Sequence, residues 1–284
     1  MRVLVTGAAG QVGSEAVRAF SQKGHDVVRT TRAELDITDR DSVMQAITTV
    51  RPDAVVHAAA FTAVDACEGD PERALLANAL GTRSVADAAR RVGAHVCYLS
   101  TDYVFRGDLD RPYHEWDETG PLSSYGRSKL GGERELSDGD TVVRTSWVFG
   151  RTGPNMVKTV LRLLADDPKR ELRFVDDQHG HPTSAADLAG MLERVVTYRL
   201  PGTFHVTNQG ATTWHGFVQD VVAAAGGSRD QVVPIKTADL DPPRPAPRPA
   251  NSVLDNTALR LSGIPLLPHY REPLERLVRE LLPA

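Results

Sequence analysis

Val3-Leu4-Val5-Thr6-Gly7-Ala8-Ala9-Gly10-Gln11-Val12-Gly13, almost at the start of the 284-residue chain, is the stretch on which the fold turns. The apolar run Val3 to Val5 with Thr6 reads as a short strand. Beyond the glycines, Val12, Ala16, Ala19 and Phe20 recur at helical spacing. Strand, glycine turn and helix together form the phosphate-binding unit. In that unit Gly7 makes the tight turn, Gly10 lets the backbone approach a pyrophosphate, and Gly13 lets the helix pack closely on the strand. The free N–H groups of Gln11 and Val12 then face an anion at the helix N-terminus. Any tight turn uses glycine, but a turn placed directly after a strand selects a dinucleotide as the ligand.

The next strand, His25 to Arg29, runs into Arg29-Thr30-Thr31-Arg32, with no acid where an NAD-selective site places one for the ribose. Arg29 or Arg32 can meet a 2′-phosphate instead, which favours NADPH and leaves NADH open. Asp36, followed by Ile37, can bond the adenine or its ribose, or can cap the helix beginning near Asp39. A third strand, Ala54 to His57, leads to Ala58-Ala59-Ala60, small enough for close approach to the cofactor, and then to Phe61-Thr62-Ala63-Val64-Asp65. A helix over about 71–91 carries Asn78, read as a packing amide or as a group that fixes a water. The fourth strand, His95 to Leu99, delivers Ser100-Thr101-Asp102-Tyr103-Val104-Phe105, and the fifth is Thr141 to Thr145. Strands alternating with helices predict an α/β, Rossmann-type doubly wound parallel sheet over residues 1–150. Residues 151–284 are expected mainly to form a smaller C-terminal substrate-binding lobe, with segments near 172–206 open to rejoining the sheet.

Between those last two strands lies Leu122 to Glu133, with Tyr125 and Lys129 four residues apart. On a helix the two share a face. With six tyrosines and five lysines in the chain, chance gives only about 0.1 such pairs. A surface helix with a packed Tyr and a solvated Lys is the plain alternative. The preceding loop, 106–124, reads as a lid or as a compact surface Ω-loop.

Composition narrows the function classes. Charged residues make up 25% and the formal charge is −4, without the basic excess that tracks a phosphate backbone, so nucleic acid is not an expected partner. No run of 18 apolar residues and no signal core after Met1 is present, which predicts a cytoplasmic protein with no membrane partner. Cys67 and Cys97 have no metal-type spacing and are expected as free thiols. His179 and His181 are read as loop residues, so no metal site is assigned, and the sequence gives Mg²⁺ no defined role.

The later half is looser. Helices are expected near 155–165, from Ser184, over 213–225 and near 272–282, with strands at 172–175 and 203–206. Ser184 and Asp187 have the outline of a capping box. The stretch 241–249 holds five prolines and two arginines. It reads as a stiff linker, or as a strap whose Arg244 and Arg248 hold a substrate diphosphate.

The glycine turn, His57-Ala58-Ala59-Ala60, Ser100-Thr101-Asp102 and Tyr125-x-x-x-Lys129 together resemble the extended short-chain dehydrogenase/reductases. Within that group the chain resembles the dTDP-4-dehydrorhamnose reductases, through Leu35-Asp36-Ile37-Thr38-Asp39, Phe61 to Asp65, Ser100 to Phe105, Tyr125-Gly126-Arg127-Ser128-Lys129, Arg144 to Gly150, Asp177-Gln178-x-Gly180-x-Pro182-Thr183 and Arg248-Pro249. His57 departs from the Asn more usual there. The resemblance implies NAD(P)H-dependent reduction of the 4-keto group of a dTDP-4-keto-6-deoxyhexose, giving dTDP-rhamnose in the parent case. Tyr125 would be the proton donor. Thr101 would polarise the ketone, and Lys129 would tune the phenol and bind the nicotinamide ribose. By the same resemblance Thr62, Val64, Tyr103 and Trp147 line the sugar site. Tyr103 stands where nucleotide-sugar dehydratases carry an acid or base, which disfavours dehydration. A deoxysugar 4-ketoreductase of secondary metabolism is the alternative enzyme. A non-catalytic relative, such as the regulatory subunit of methionine adenosyltransferase, is the alternative of another class. A homodimer is left open.

Overall fold

The computed structural model describes residues 1–282. Its centre is a six-stranded, all-parallel sheet built from β1 (Arg2–Thr6), β2 (Asp26–Thr30), β3 (Ala54–His57), β4 (His95–Thr101), β5 (Thr141–Thr145) and a last strand, Gly202–His205. The order across the sheet is β2, β1, β3, β4, β5 and Gly202–His205. β1, β3, β4 and β5 are almost wholly buried, as expected where helices cover both faces.

The order reverses between β1 and β3, and the crevice beyond the carboxyl ends of such neighbours is where open α/β sheets bind ligands. A six-stranded dinucleotide fold usually carries one more strand outside β2. Here the segment after β2 holds Leu35 and Ile37 buried in the core without forming a strand, and the chain returns through the helix Arg40–Val50. Asp39 caps that helix, accepting from the N–H groups of Asp41 and Ser42.

β4 runs two residues further than expected. Ser100 and Thr101 continue the ladder because Arg144 and Thr145 stand opposite them in register. The helical run from Pro71 to Val92 contains a π-helical turn, Leu76–Leu80, centred on Asn78. Such turns re-aim side chains within a helix. The segment Leu172–Val175 does not rejoin the large sheet but pairs in parallel with Val232–Ile235. Behind that pair lies a second apolar core, containing Phe149, Phe217, Tyr270 and Leu274.

One local expectation is corrected, and one open alternative is decided. Ser184 does cap the helix Ala185–Thr197, but Asp187 does not reach back to close a capping box. Asn208 takes that place, accepting from the Ser184 N–H at 2.8 Å and donating to Asp187 at 2.8 Å. The loop 106–124 is filled by its own side chains. The Tyr113 hydroxyl accepts from the N–H groups of Gly107 and Asp108 at 2.8 and 3.0 Å, and the Tyr113 backbone bridges to Leu254. That is the interior of an Ω-loop, pinned to the chain that follows the proline-rich stretch.

Candidate active site

The glycine turn lies at the switch point. Gly7 has φ +67°, and a Cβ on it would stand 2.7 Å from the backbone of Ala59. A Cβ on Gly13 would stand 2.2 Å from the Gly7 carbonyl oxygen. The glycines therefore bring the end of β1, the loop after β3 and the helix Gln11–Gln22 together more closely than any side chain allows. Gly10 caps that helix without a side-chain hydrogen bond, and among the described residues no side chain accepts from the amides of Gln11 and Val12. Such a cradle fits the pyrophosphate of a dinucleotide. Ala58, Ala59 and Ala60 are half-exposed beside it.

The residues read for the adenosine end lie along the rim after β2. Arg29 and Arg32 are both exposed, and Arg32 stands 3.8 Å from Asp36. Asp36 does not cap the following helix. One of its oxygens accepts from both the N–H and the hydroxyl of Thr38, at 3.0 and 2.8 Å, which holds its carboxyl below the usual range. Ile37 is buried.

His57 underlies the crevice, and its protonation follows from its neighbours. Thr82 Oγ1 donates to the Asn78 carbonyl at 2.7 Å, so it accepts from His57 Nε2 at 3.2 Å. Thr6 Oγ1 then donates to Nδ1 at 2.7 Å. Burial pushes this imidazole down to about 3, which keeps it neutral. Asn78 proves to be a clamp: its amide accepts from the Phe61 N–H at 2.7 Å, donates to the Phe61 carbonyl at 2.9 Å, and donates to Ser128 Oγ at 2.9 Å. The loop that carries Thr62 and leads into the helix Val64–Gly69 is thereby tied to the helix carrying Tyr125.

That helix, Ser124–Glu133, begins at Ser123, whose hydroxyl accepts from the Gly126 N–H at 3.1 Å. A Cβ on Gly126 would stand 2.2 Å from the Tyr103 carbonyl oxygen, so glycine lets the helix press against the end of β4. Tyr125 is 9% exposed and packs with Cys67, Ala74, Phe61, Val64 and Tyr103. The Tyr103 ring meets it edge-on at 5.6 Å. Burial holds the Tyr125 phenol above its ordinary value, and the Thr101 hydroxyl pulls it back. Thr101 donates to Asp102 Oδ1 at 2.9 Å and accepts from the Tyr103 N–H at 3.2 Å. Burial pushes Asp102 up to about 6. Asp102 was not among the residues singled out from the sequence, although the Ser-Thr-Asp motif contains it.

Lys129 departs from expectation. Its ammonium donates to the Leu99 carbonyl at 2.6 Å and lies 4.0 Å from the centre of the Tyr98 ring. Burial acts most strongly on the Tyr125 phenol, followed by Thr101, Asp102 and Tyr103. Burial pushes Lys129 from 10.5 down to about 7. In the unfolded chain the amine keeps its proton until near 10.5. Between about pH 7 and that value the unfolded state binds a proton that the folded state has released, so folding gains stability as pH rises, by at most about 1.4 kcal/mol per unit. Below the folded value both states are protonated and the gain is absent. Urea midpoints of the ligand-free protein should therefore climb from about pH 7 to about pH 8.5 relative to Lys129→Met; parallel curves would mean that Lys129 stays charged.

Arg248 is engaged within the chain. Its guanidinium grips Asp65 through two bonds, of 3.1 and 2.9 Å, and donates to the Ala246 carbonyl at 2.8 Å, while Arg244 approaches the same carboxylate at 3.7 Å. The proline-rich stretch is thus a strap fastened beside Val64; burial holds the Tyr103 phenol above its ordinary value, and the Arg248 charge pulls against that rise. Thr62 is exposed at this edge. Trp147, two residues past β5, has φ +45°, which for a bulky residue costs on the order of 1–3 kcal/mol. Tyr125, Thr101, Tyr103, Val64 and Arg248 thus converge, Trp147 and the glycine turn flank the same sheet edge, and Arg29 and Arg32 stand out on the rim.

A family model described as RmlD substrate binding domain matches residues 1–282. The chain belongs to this family. A dTDP-4-dehydrorhamnose reductase of Streptomyces griseus is 42% identical over 96% of this chain and 91% of its own length. A probable dTDP-4,6-dihydroxy-2-methyloxan-3-one 4-ketoreductase of Streptomyces antibioticus is 38% identical over 100% and 97%. Among solved structures, a dTDP-4-dehydrorhamnose reductase of Bacillus anthracis, crystallised in complex with NADP, superposes with a TM-score of 0.93 at 37% identity, covering 98% of this chain and 99% of that one. Like the RmlD-family reductase it superposes on, the chain has a Rossmann-type fold with a parallel central sheet.

Proposed function

We propose that the protein reduces the 4-keto group of a dTDP-4-keto-6-deoxyhexose with NADPH, converting dTDP-4-dehydrorhamnose to dTDP-rhamnose. The observation that carries the reading is a buried Tyr125 phenol packed with Tyr103 and Val64, at the sheet edge that also holds a glycine turn without a side-chain cap. The relatives' names and the NADP complex support the same reaction.

The amides of Gln11 and Val12 hold the cofactor's pyrophosphate, with Gly7, Gly10, Gly13 and Ala58 to Ala60 allowing its approach. Arg29 and Arg32 face the 2′-phosphate, and Asp36 and Ile37 border the adenosine. When bound, the dihydronicotinamide supplies a hydride to the carbonyl carbon. Tyr125 holds its proton at neutral pH because it is buried, and releases it to the carbonyl oxygen as that oxygen gains charge. Thr101 hydrogen-bonds the same oxygen, a contribution of the oxyanion-hole kind. Lys129, poised near neutrality, holds the nicotinamide ribose. Val64, Thr62, Tyr103 and Trp147 border the sugar, and Arg248 faces the diphosphate from the strap. In this reading residues 1–150 with the strand Gly202–His205 bind the cofactor, and most of the remaining chain shapes the sugar-nucleotide side.

The relative named as a probable dTDP-4,6-dihydroxy-2-methyloxan-3-one 4-ketoreductase keeps a second substrate in view, a different dTDP-linked 4-keto deoxysugar. The test is to supply dTDP-4-keto-6-deoxyglucose with and without a 3,5-epimerase and to follow the oxidation of NADPH and, separately, NADH. Oxidation that depends on the epimerase selects the rhamnose reaction, oxidation without it selects the alternative, and none in either case removes the reductase reading.

A further inference from the structure

Trp147 stands next to the reacting centre by register, because Thr145, two residues before it, pairs across the ladder with Thr101. Its left-handed backbone persists only if the surroundings hold it there. Three contacts do so. The Trp147 carbonyl accepts from the Thr183 N–H at 3.2 Å. The indole lies flat on the indole of Trp214, with ring centroids 3.8 Å apart and planes 12° from parallel. Gly180 lies against the same ring so closely that a Cβ there would stand 2.6 Å from Cε2 and 2.9 Å from Nε1.

The two side-chain contacts share one origin. Thr212 and Thr213 pair antiparallel with Gly180 and His179. Thr213 then caps the helix Trp214–Ala224, its hydroxyl accepting from the Gly216 N–H at 3.0 Å, which sets Trp214 as the first helical residue. A single two-residue pairing therefore places both the glycine that admits the Trp147 indole and the indole stacked on it. Both tryptophans remain half-buried, so the pair still presents aromatic surface.

We propose that Trp214 is a positioning residue for sugar-nucleotide binding, fixing the Trp147 indole in one orientation before the substrate arrives. This rests on the reading that Trp147 borders the sugar. The chemical class it suits is a hexose with an apolar C–H face, of which a 6-deoxy sugar presents more than its hydroxylated parent. A ring already fixed binds such a face without first being ordered. Trp214 touches neither hydride nor proton in this account, so its removal acts on sugar affinity.

The experiment measures Trp214→Ala, Trp214→Phe, Gly180→Ala and Trp147→Ala, using dTDP-4-dehydrorhamnose generated in place and NADPH. Trp214→Ala should raise the KM for the sugar nucleotide about tenfold, leave the KM for NADPH unchanged and move kcat little, while Trp214→Phe restores most of the affinity. The near-ultraviolet circular dichroism of the stacked indoles should be lost in Trp214→Ala. Gly180→Ala, which disturbs the ring from another position, should repeat the KM pattern and serves if Trp214→Ala does not fold. Trp147→Ala raising the sugar KM while Trp214→Ala and Gly180→Ala leave it unchanged would overturn the proposal and keep Trp147 at the sugar. An unchanged sugar KM in Trp147→Ala would overturn both.

Discussion

Tyr125→Phe is expected to lower turnover at least about a hundredfold, the lower range for loss of a general acid, while leaving NADPH affinity and thermal stability nearly unchanged. The separation follows from where the ring sits. Phenylalanine keeps the packing against Cys67 and Ala74 and the edge contact with Tyr103, so only the hydroxyl is lost. No polar group with an obligatory partner is stranded, since Thr101 still donates to Asp102 and accepts from the Tyr103 N–H. The cofactor cradle is formed by Gly7, Gly13 and the alanines after β3, none of which packs on this ring in the Tyr125 cluster. Steady-state kcat and a fluorescence titration with NADPH measure the two effects separately. Near-normal turnover would remove Tyr125 as the proton donor.

The elements with strong local signatures were legible in the sequence. β1, the glycine turn and its helix follow from three apolar residues, three glycines and a helical repeat, all within about twenty residues, and β3 and β5 lie where the runs 54–57 and 141–145 place them. The Ser-Thr-Asp and Tyr-Lys motifs come together at the carboxyl end of β4. What stayed hidden depends on residues far apart in the chain. Asp65 and Arg248 are separated by 183 residues, and nothing in either neighbourhood says that the arginine's ligand-free partner is a carboxylate of the same chain. The direction of Lys129 depends on the carbonyl of Leu99 and the face of Tyr98, both on β4. The Ser184 cap called for an acid three residues on, and the acid is present, but Asn208, 24 residues away, supplies the bond. Trp214 had a detectable signal, a threonine followed by an aromatic at the start of a helix, but its partner could be found only through the pairing at Gly180.

Arg144→Met should be the most destabilising single change among the buried polar groups of the site, costing about 3–5 kcal/mol, the range for stranding one member of a buried ion pair. Arg144 and Glu133 are 7% and 8% exposed and meet through two bonds, of 2.9 and 2.7 Å. The guanidinium also donates to the Glu115 carbonyl at 3.3 Å and lies 5.1 Å from the centre of the Phe105 ring. Ser100, directly across the ladder from Arg144, donates its hydroxyl to the same carboxylate. The last turn of the helix that carries Tyr125 and Lys129 is thereby bonded to both β4 and β5. Removing the arginine leaves the Glu133 carboxylate dehydrated with Ser100 alone to hold it, a larger penalty than the net worth of the pair. The double variant Arg144→Met with Glu133→Leu removes the stranded charge as well, and should recover more than half of the loss in urea unfolding. A single-variant cost below about 1 kcal/mol would place the pair with exposed salt bridges, whatever its burial. A double variant as unstable as the single would instead assign the loss to packing around Phe105. Because Lys129 lies one turn before Glu133 on the same helix face, the double variant should also show weaker NADPH binding than its stability predicts, which makes the pair a support for the site as well as for the fold.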